Sequence, residues 1–158
     1  MTRKLGLQEI LGNSFSYEMS NIYTSMPAVV VGVDNSSMRV DVQPAVNMRN
    51  EEGTEDIPRP NILNVPLQLP ISDLGGVSFP ISAGCPVLLV WSMRGLDKWK
   101  RGNGLPESPT DLRRFDIRDC IALPSVYPQG MSKNSPQSRT NDHSPNDVVL
   151  VHNLGSGS

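Results

Sequence analysis

The sequence predicts an all-β fold: a small barrel of five or six short strands, with a helix before it and an extended arm after it. Three observations carry this. Fourteen prolines and thirteen glycines punctuate the 158 residues, which cuts the chain into runs too short for a helical bundle. Apolar residues between 28 and 124 fall in short β-branched or alternating runs separated by turn residues. Spacing of three and four residues between apolar positions is confined to the stretch before Pro27.

That first stretch, residues 5–26, predicts a helix. Leu7, Ile10, Leu11, Phe15, Met19, Ile22 and Met26 make one stripe. Gly12 and Asn13 could interrupt it, and Pro27 ends it because the residue before a proline avoids the helical region. The stripe either packs on the protein's own core or docks on a partner, and the sequence leaves both open.

From Pro27 the period changes to two. Val29–Val33 is mostly β-branched, Asp34-Asn35-Ser36-Ser37 supplies turn residues, and Met38, Val40 and Val42 alternate with Arg39, Asp41 and Gln43. This is a hairpin with one buried face. Residues 47–61 are polar and mixed in charge and predict a long loop. Val65, Leu67, Leu69 and Ile71 then alternate with Pro66, Gln68 and Pro70. Each proline removes a ladder donor, so this is an edge or bulged strand. "GGVSFPIS" follows as a short segment. "GCPVLLVWS" is the most apolar run and the expected central strand. In "RRFDIRDCIALP", Phe115, Ile117, Ile121 and Leu123 are expected to share a face interrupted by Asp119. Five or six strands within 28–124 match a Greek-key barrel of the OB-fold kind. The organisation is therefore a helical segment at 1–26, an OB-fold-like barrel at 27–128, and an arm at 129–158 with a short strand, "DVVLVHN", near its end.

Composition narrows the function. The formal net charge is −2 and the isoelectric point about 5.6, whereas a chain that coats nucleic acid carries a basic excess. Cys85 and Cys120 form no Cys-x-x-Cys pattern and read as reduced core residues. The N-terminus lacks the continuous apolar stretch of a secretory signal, and no apolar run approaches the ~20 residues that span a bilayer. The expectation is synthesis in the cytosol. The only histidines, His143 and His152, fall in the arm, so neither a nucleophile–base pair nor a local metal site is spelled out. The loop carboxylates Glu51, Glu52, Glu55 and Asp56, with Arg49 and Arg59 among them, read as a solvated loop; a hydrolase using them is the enzymatic alternative. Gly102-Asn103-Gly104 lacks a strand-to-helix setting and reads as a turn. No enzymatic constellation, cofactor or small-molecule substrate is expected.

One stretch resists a bland reading. "WSMRGLDKWKRGNGLPE", residues 91–107, gathers Arg94, Lys98, Lys100 and Arg101 with Trp91 and Trp99. It is either a binding site for bases and phosphates or a long connection that fastens the barrel to a neighbour.

"MPAVVVGVDNSSMRVDVQP", ahead of "VPLQLP", "GCPVLLVWSMRGLDKW" and "RRFDIRDCIALPSVYP", resembles the N-terminal domain of phage baseplate central spike proteins over residues 15–128. The best marks are Val-Gln-Pro at 42–44, "SMRGLDKW" and "RRFDIRDCIALP". The resemblance implies an OB-fold in a homotrimer, seated on a trimeric baseplate hub in a contractile tail. Family members continue into a β-helical needle, often with a His-x-His iron site. This sequence has no His-x-His, so the iron site is not carried over, and the needle is left to a separate spike-tip protein or a longer chain. The expected function is that of a structural virion protein in the tail baseplate. It would be made in the host bacterial cytoplasm, close the tail tube and help puncture the host envelope. Expected interface residues are Ile10, Phe15 and Ile22 on the helix, Lys98, Trp99, Lys100 and Arg101 in the loop, and Val149 and Val151 in a terminal strand that gains partners when three copies wind together. The alternative is an OB-fold module that binds single-stranded nucleic acid or an oligosaccharide.

Overall fold

A computed structural model of the chain describes residues 6–50, 52–133 and 142–151. The order of elements is helix α1 (Leu7–Ser20), strands β1 (Ser25–Asp34), β2 (Arg39–Pro44), β3 (Met48–Arg49), β4 (Asp56–Ile57), β5 (Ile62–Pro66) and β6 (Pro86–Trp91), helix α2 (Asp97–Arg101), strand β7 (Cys120–Pro124) and a 3-10 turn at Gln129–Met131. Five strands form one antiparallel sheet in the order β5-β2-β1-β6-β7. The sheet curls on itself. Just past β5, Leu67 makes a parallel bridge to Ala122 of β7, and the Gln68 amide donates to the Ala122 carbonyl at 2.9 Å. The fold is the expected OB-like all-β barrel with an N-terminal helix.

The hairpin β1–β2 turns where its residues demand it. The Asp34 carboxylate accepts from the Ser36 and Ser37 amides and from both hydroxyls, and these bonds pull its pKa down to about 2. Between Val30 and Gly32 the register of β1 shifts. There Gly32 leaves room for Asp41, since a Cβ would lie 3.0 Å from Asp41 Oδ2 and push that carboxylate aside by a few tenths of an ångström. Asp41 in turn accepts the amide of Asn64 at 2.8 Å, and Asn64 has a φ of 56° within the bulge that bends β5. Strand β5 is thus the expected bulged strand, though the bulge lies at Asn64 and Pro66 stands at the strand's end.

Inside lie Val30, Val40, Val42, Val65, Val87 and Leu89, each 0–1% exposed, together with Leu67, Ile81, Trp91, Cys120 and Ala122. Strand β6 pairs with β1 on one side and β7 on the other, as its unbroken apolar run requires. The Trp91 indole donates to the Ile117 carbonyl at 2.9 Å, which satisfies its one polar atom. Segment 67–85 is held to the hairpin tip by a reciprocal pair: Asn35 Nδ2 donates to the Ile81 carbonyl, and the Ile81 amide donates to Asn35 Oδ1.

Three expectations need correction. Helix α1 ends at Ser20 and runs unbroken through Gly12 and Asn13; Ser25 and Met26 belong instead to β1, where they pair with Val90 and Leu89. The polar loop at 47–61 contains a small hairpin, β3–β4, whose turn is organised by Asn50 Oδ1 accepting the Thr54 and Glu55 amides. In β7 the buried face is Cys120 and Ala122, while Ile121 and Leu123 lie half-buried on the outside, and Phe115 and Ile117 precede the strand. The cause is register, because Cys120 sits opposite Trp91 and turns the same way. Of the short strand expected near the end, residues 148–151 lie outside any sheet of the single chain, in which no second copy is present, and the rest of it lies outside the described residues. Cys85 and Cys120 are free thiols, half-buried and buried respectively.

Truncating the core should cost far more than truncating the outside. Leu89→Ala is expected to lower unfolding free energy by about 3 kcal/mol. Leu63→Ala, at a position 65% exposed, should shift it by about 0.5 kcal/mol or less. Urea denaturation followed by tryptophan fluorescence measures both.

Candidate assembly surface in the connection between β6 and β7

The long connection from Ser92 to Arg118 is built around one carboxylate. Asp119 is 1% exposed, so its charge must be matched by donors. Its Oδ1 accepts the Leu96 amide at 2.9 Å and Arg113 Nη2 at 2.8 Å; its Oδ2 accepts Arg113 Nε at 2.7 Å. Arg113 also donates to Asp97 Oδ2 at 2.6 Å and Asp111 Oδ2 at 3.0 Å. One guanidinium thus ties together three carboxylates from the start, middle and end of the connection. The fork geometry of arginine makes this possible where a lysine ammonium would not.

The titration shifts follow. Burial pushes Asp119 upward, but the Arg113 hydrogen bonds and the Leu96 amide outweigh it, and the net pKa lies below the ordinary carboxylate value. Arg113 is raised above its already high value by its bonds to Asp119 and Asp97. Cys120, next in sequence, is pushed up to about 11 by burial.

The four residues expected to act together do not point one way. All lie on the single turn of α2. Lys98 is exposed and Trp99 is 44% exposed. Lys100 is half-buried. Its ammonium donates to the Arg118 carbonyl at 2.7 Å, its own carbonyl accepts Arg39 Nη2 at 3.0 Å, and burial lowers its pKa. Arg101 is exposed and donates Nε to the Asp97 carbonyl at 3.2 Å. Lys98, Trp99 and Arg101 are therefore surface groups, and Lys100 is a structural strut. Gly102 closes the turn against Glu107, where a Cβ would come within 2.7 Å of Glu107 Oε1.

The helix residues are open. Ile10 and Phe15 are 47% and 68% exposed, Ile22 lies just past the end of the helix and is 37% exposed, and α1 buries no residue at all. Of the two readings of its stripe, packing on the protein's own core does not hold for the residues within α1; Met26 alone packs on the core, from β1. The root of α1 is nonetheless fixed. Tyr23 packs on Trp91 with ring centroids 5.3 Å apart and accepts from Arg59 Nη1 at 3.1 Å, while the Trp91 amide donates to the Thr24 carbonyl. Val149 is exposed and Val151 half-buried. In the acidic loop, Asp56 pairs with Arg49 across the small hairpin, Glu52 and Glu55 face solvent, and Glu51 lies outside the described residues. Among the described residues no group of three or more His, Cys, Asp and Glu is placed to hold a metal ion. Arg113 and Asp119 went unmarked in the sequence as a site. The available signal was an aspartate at the head of an apolar strand, which needs a cation, with Arg113-Arg114 six and five residues before it.

A curled five-stranded barrel, its last two strands joined by an internally braced connection, defines an OB-type scaffold domain. Residues 26–125 match the family described as the phage protein Gp138 N-terminal domain, and the chain belongs to that family of bacteriophage structural proteins. No curated protein matches the chain.

Asp119→Asn is expected to destabilise the protein by about 3 kcal/mol, because it leaves Arg113 facing a neutral amide in a buried site. A carboxylate with a lowered native pKa adds stability that is complete above its unfolded value and is lost as pH falls through the native one. Wild-type stability should therefore drop below pH 3.8, and the variant should show a shallower acid slope in parallel urea melts.

Proposed function

We propose that this chain is a trimeric spike or hub-cap component of a contractile-tail baseplate, which closes the tail tube and helps breach the host envelope. The family match across the whole barrel carries the reading. Two features support it. Helix α1 exposes every apolar side chain between Leu7 and Ser20, and a helix of 14 residues without tertiary burial is marginal in water. The connection between β6 and β7 is braced by hydrogen bonds instead of being left mobile, which suits a surface that transmits load. The work is mechanical and calls on closed symmetry about an axis; hub and spike-tip proteins are the proposed partners.

The second reading is an OB module for single-stranded nucleic acid, favoured by the exposure of Trp99 beside Lys98. It predicts oligonucleotide binding that weakens steeply with salt.

Light scattering of the purified chain at micromolar concentration is expected to return the mass of three copies, and antibody-labelled electron micrographs to show it at the tail tip. A single-copy mass together with salt-sensitive oligonucleotide binding would favour the second reading. The double variant Lys98→Glu, Arg101→Glu is expected to keep the thermal melt of the wild type and to lose incorporation into tails; normal incorporation would remove α2 from the interface.

A further inference from the structure

The barrel has a second apolar surface, on its outside. Along β1, β6 and β7 the residues between the buried positions are Pro27, Val29, Leu88, Val90, Ile121 and Leu123. A barrel strand facing water places polar residues there, as β2 does with Arg39, Asp41 and Gln43. The register sets five of them side by side: Pro27 opposite Leu88, Leu88 opposite Leu123, Val90 opposite Ile121; Val29 lies opposite the buried Pro86, and Ser25 of β1 lies opposite Val90 at the edge of the patch. Val29 and Val90 are each 39% exposed, and Leu88, Ile121 and Leu123 are half-buried.

We propose that α1 of one copy lies across this outer face of β1, β6 and β7 on a second copy. The occupant is argued from three matches. The first is chemical: the chain carries two uncovered apolar faces, a helix stripe and a sheet face, and each is the kind of surface the other needs. The second is dimensional. Three strands spaced ~4.8 Å apart make a strip ~10 Å wide, the width of one helix, and fourteen residues give a helix ~21 Å long, enough to cross the face. The third is electrostatic. Within Leu7–Ser20 the charges are Glu9 and Glu18, with no basic residue in the last turn, and the helix dipole adds negative potential at that end. The connection bordering the sheet face between Trp91 and Cys120 holds seven cations against five carboxylates. The acidic C-terminal end of α1 therefore belongs toward the connection. Glu18 lies along the apolar stripe, where a cation of the second copy would satisfy it.

The contact is heterologous, helix on sheet, so each copy offers a free helix and a free face to the next, and repetition closes a ring. The inference rests on the reading of this chain as a self-assembling protein and adds the surfaces that do the assembling.

The test places the photo-crosslinker p-benzoylphenylalanine at position 15 of the full chain. Irradiation is expected to join two copies, with peptide maps placing the bond in residues 25–34, 86–91 or 120–124. A bond within one chain, a bond elsewhere, or no bond overturns the proposal. Light scattering separates it from the reading beneath it. Phe15→Glu and Val90→Glu are each expected to give single-copy mass, and Leu63→Glu, outside the face, to keep the assembled mass, with the folded barrel's circular-dichroism spectrum kept in all three and a lower, concentration-independent melt in the two that dissociate. A trimer that survives both of the first two variants refutes the helix–sheet contact and leaves the trimeric reading standing. A single-copy wild type removes both.

Discussion

The buried Asp119 carboxylate sets the arrangement of everything at its end of the barrel. It immediately precedes β7, it takes the Leu96 amide ahead of α2, and it fixes Arg113, which reaches back to Asp97 in α2 itself. A charge taken out of water is stabilised only when donors surround it. The connection is therefore folded around that requirement, and its shape follows from hydrogen-bond geometry more than from apolar packing. Its cations divide accordingly: Arg113 and Lys100 are consumed inside, and Lys98 and Arg101 remain at the surface.

The opposite condition holds at α1. Glycine and asparagine in its middle lower its propensity by about 1 kcal/mol at Gly12 alone, and Glu18 opposes the dipole at its C-terminal end. Nothing in the barrel among the described residues compensates. Yet Tyr23, Arg59 and Trp91 hold the helix root firmly. A fixed root with an uncovered stripe is the arrangement expected of an element whose stability comes from another molecule.

Much of this was legible in the sequence. Alternation marked β2, unbroken β-branched or apolar runs marked β1 and β6, and Pro66 announced an irregular strand at β5. The inversion of β7 was not legible. Ile121 and Leu123 are larger and more apolar than Cys120 and Ala122, so size alone points the wrong pair inward; only pairing with Trp91 fixes the register. The sequence likewise showed a basic cluster at 98–101 but not that Lys100 turns inward, because its partners are the carbonyl of Arg118 and the side chain of Arg39, whose identity no motif records. Apolar outer positions on three adjacent strands were visible as unbroken runs, "PAVVV" and "PVLLVW", yet their meaning depended on seeing the strands laid side by side.

The bracing of the connection has a consequence for how this domain can diversify. Its two ends are clamped, Leu96 and Asp97 on one side and Arg113 and Asp119 on the other. Residues 102–110 between them are all exposed. Lengthening a loop whose ends are already held adds only slowly to the entropy of closing it, about 0.6 kcal/mol per doubling. This stretch is therefore where a new loop, or an entire small domain, can be spliced in while the barrel beneath keeps its register.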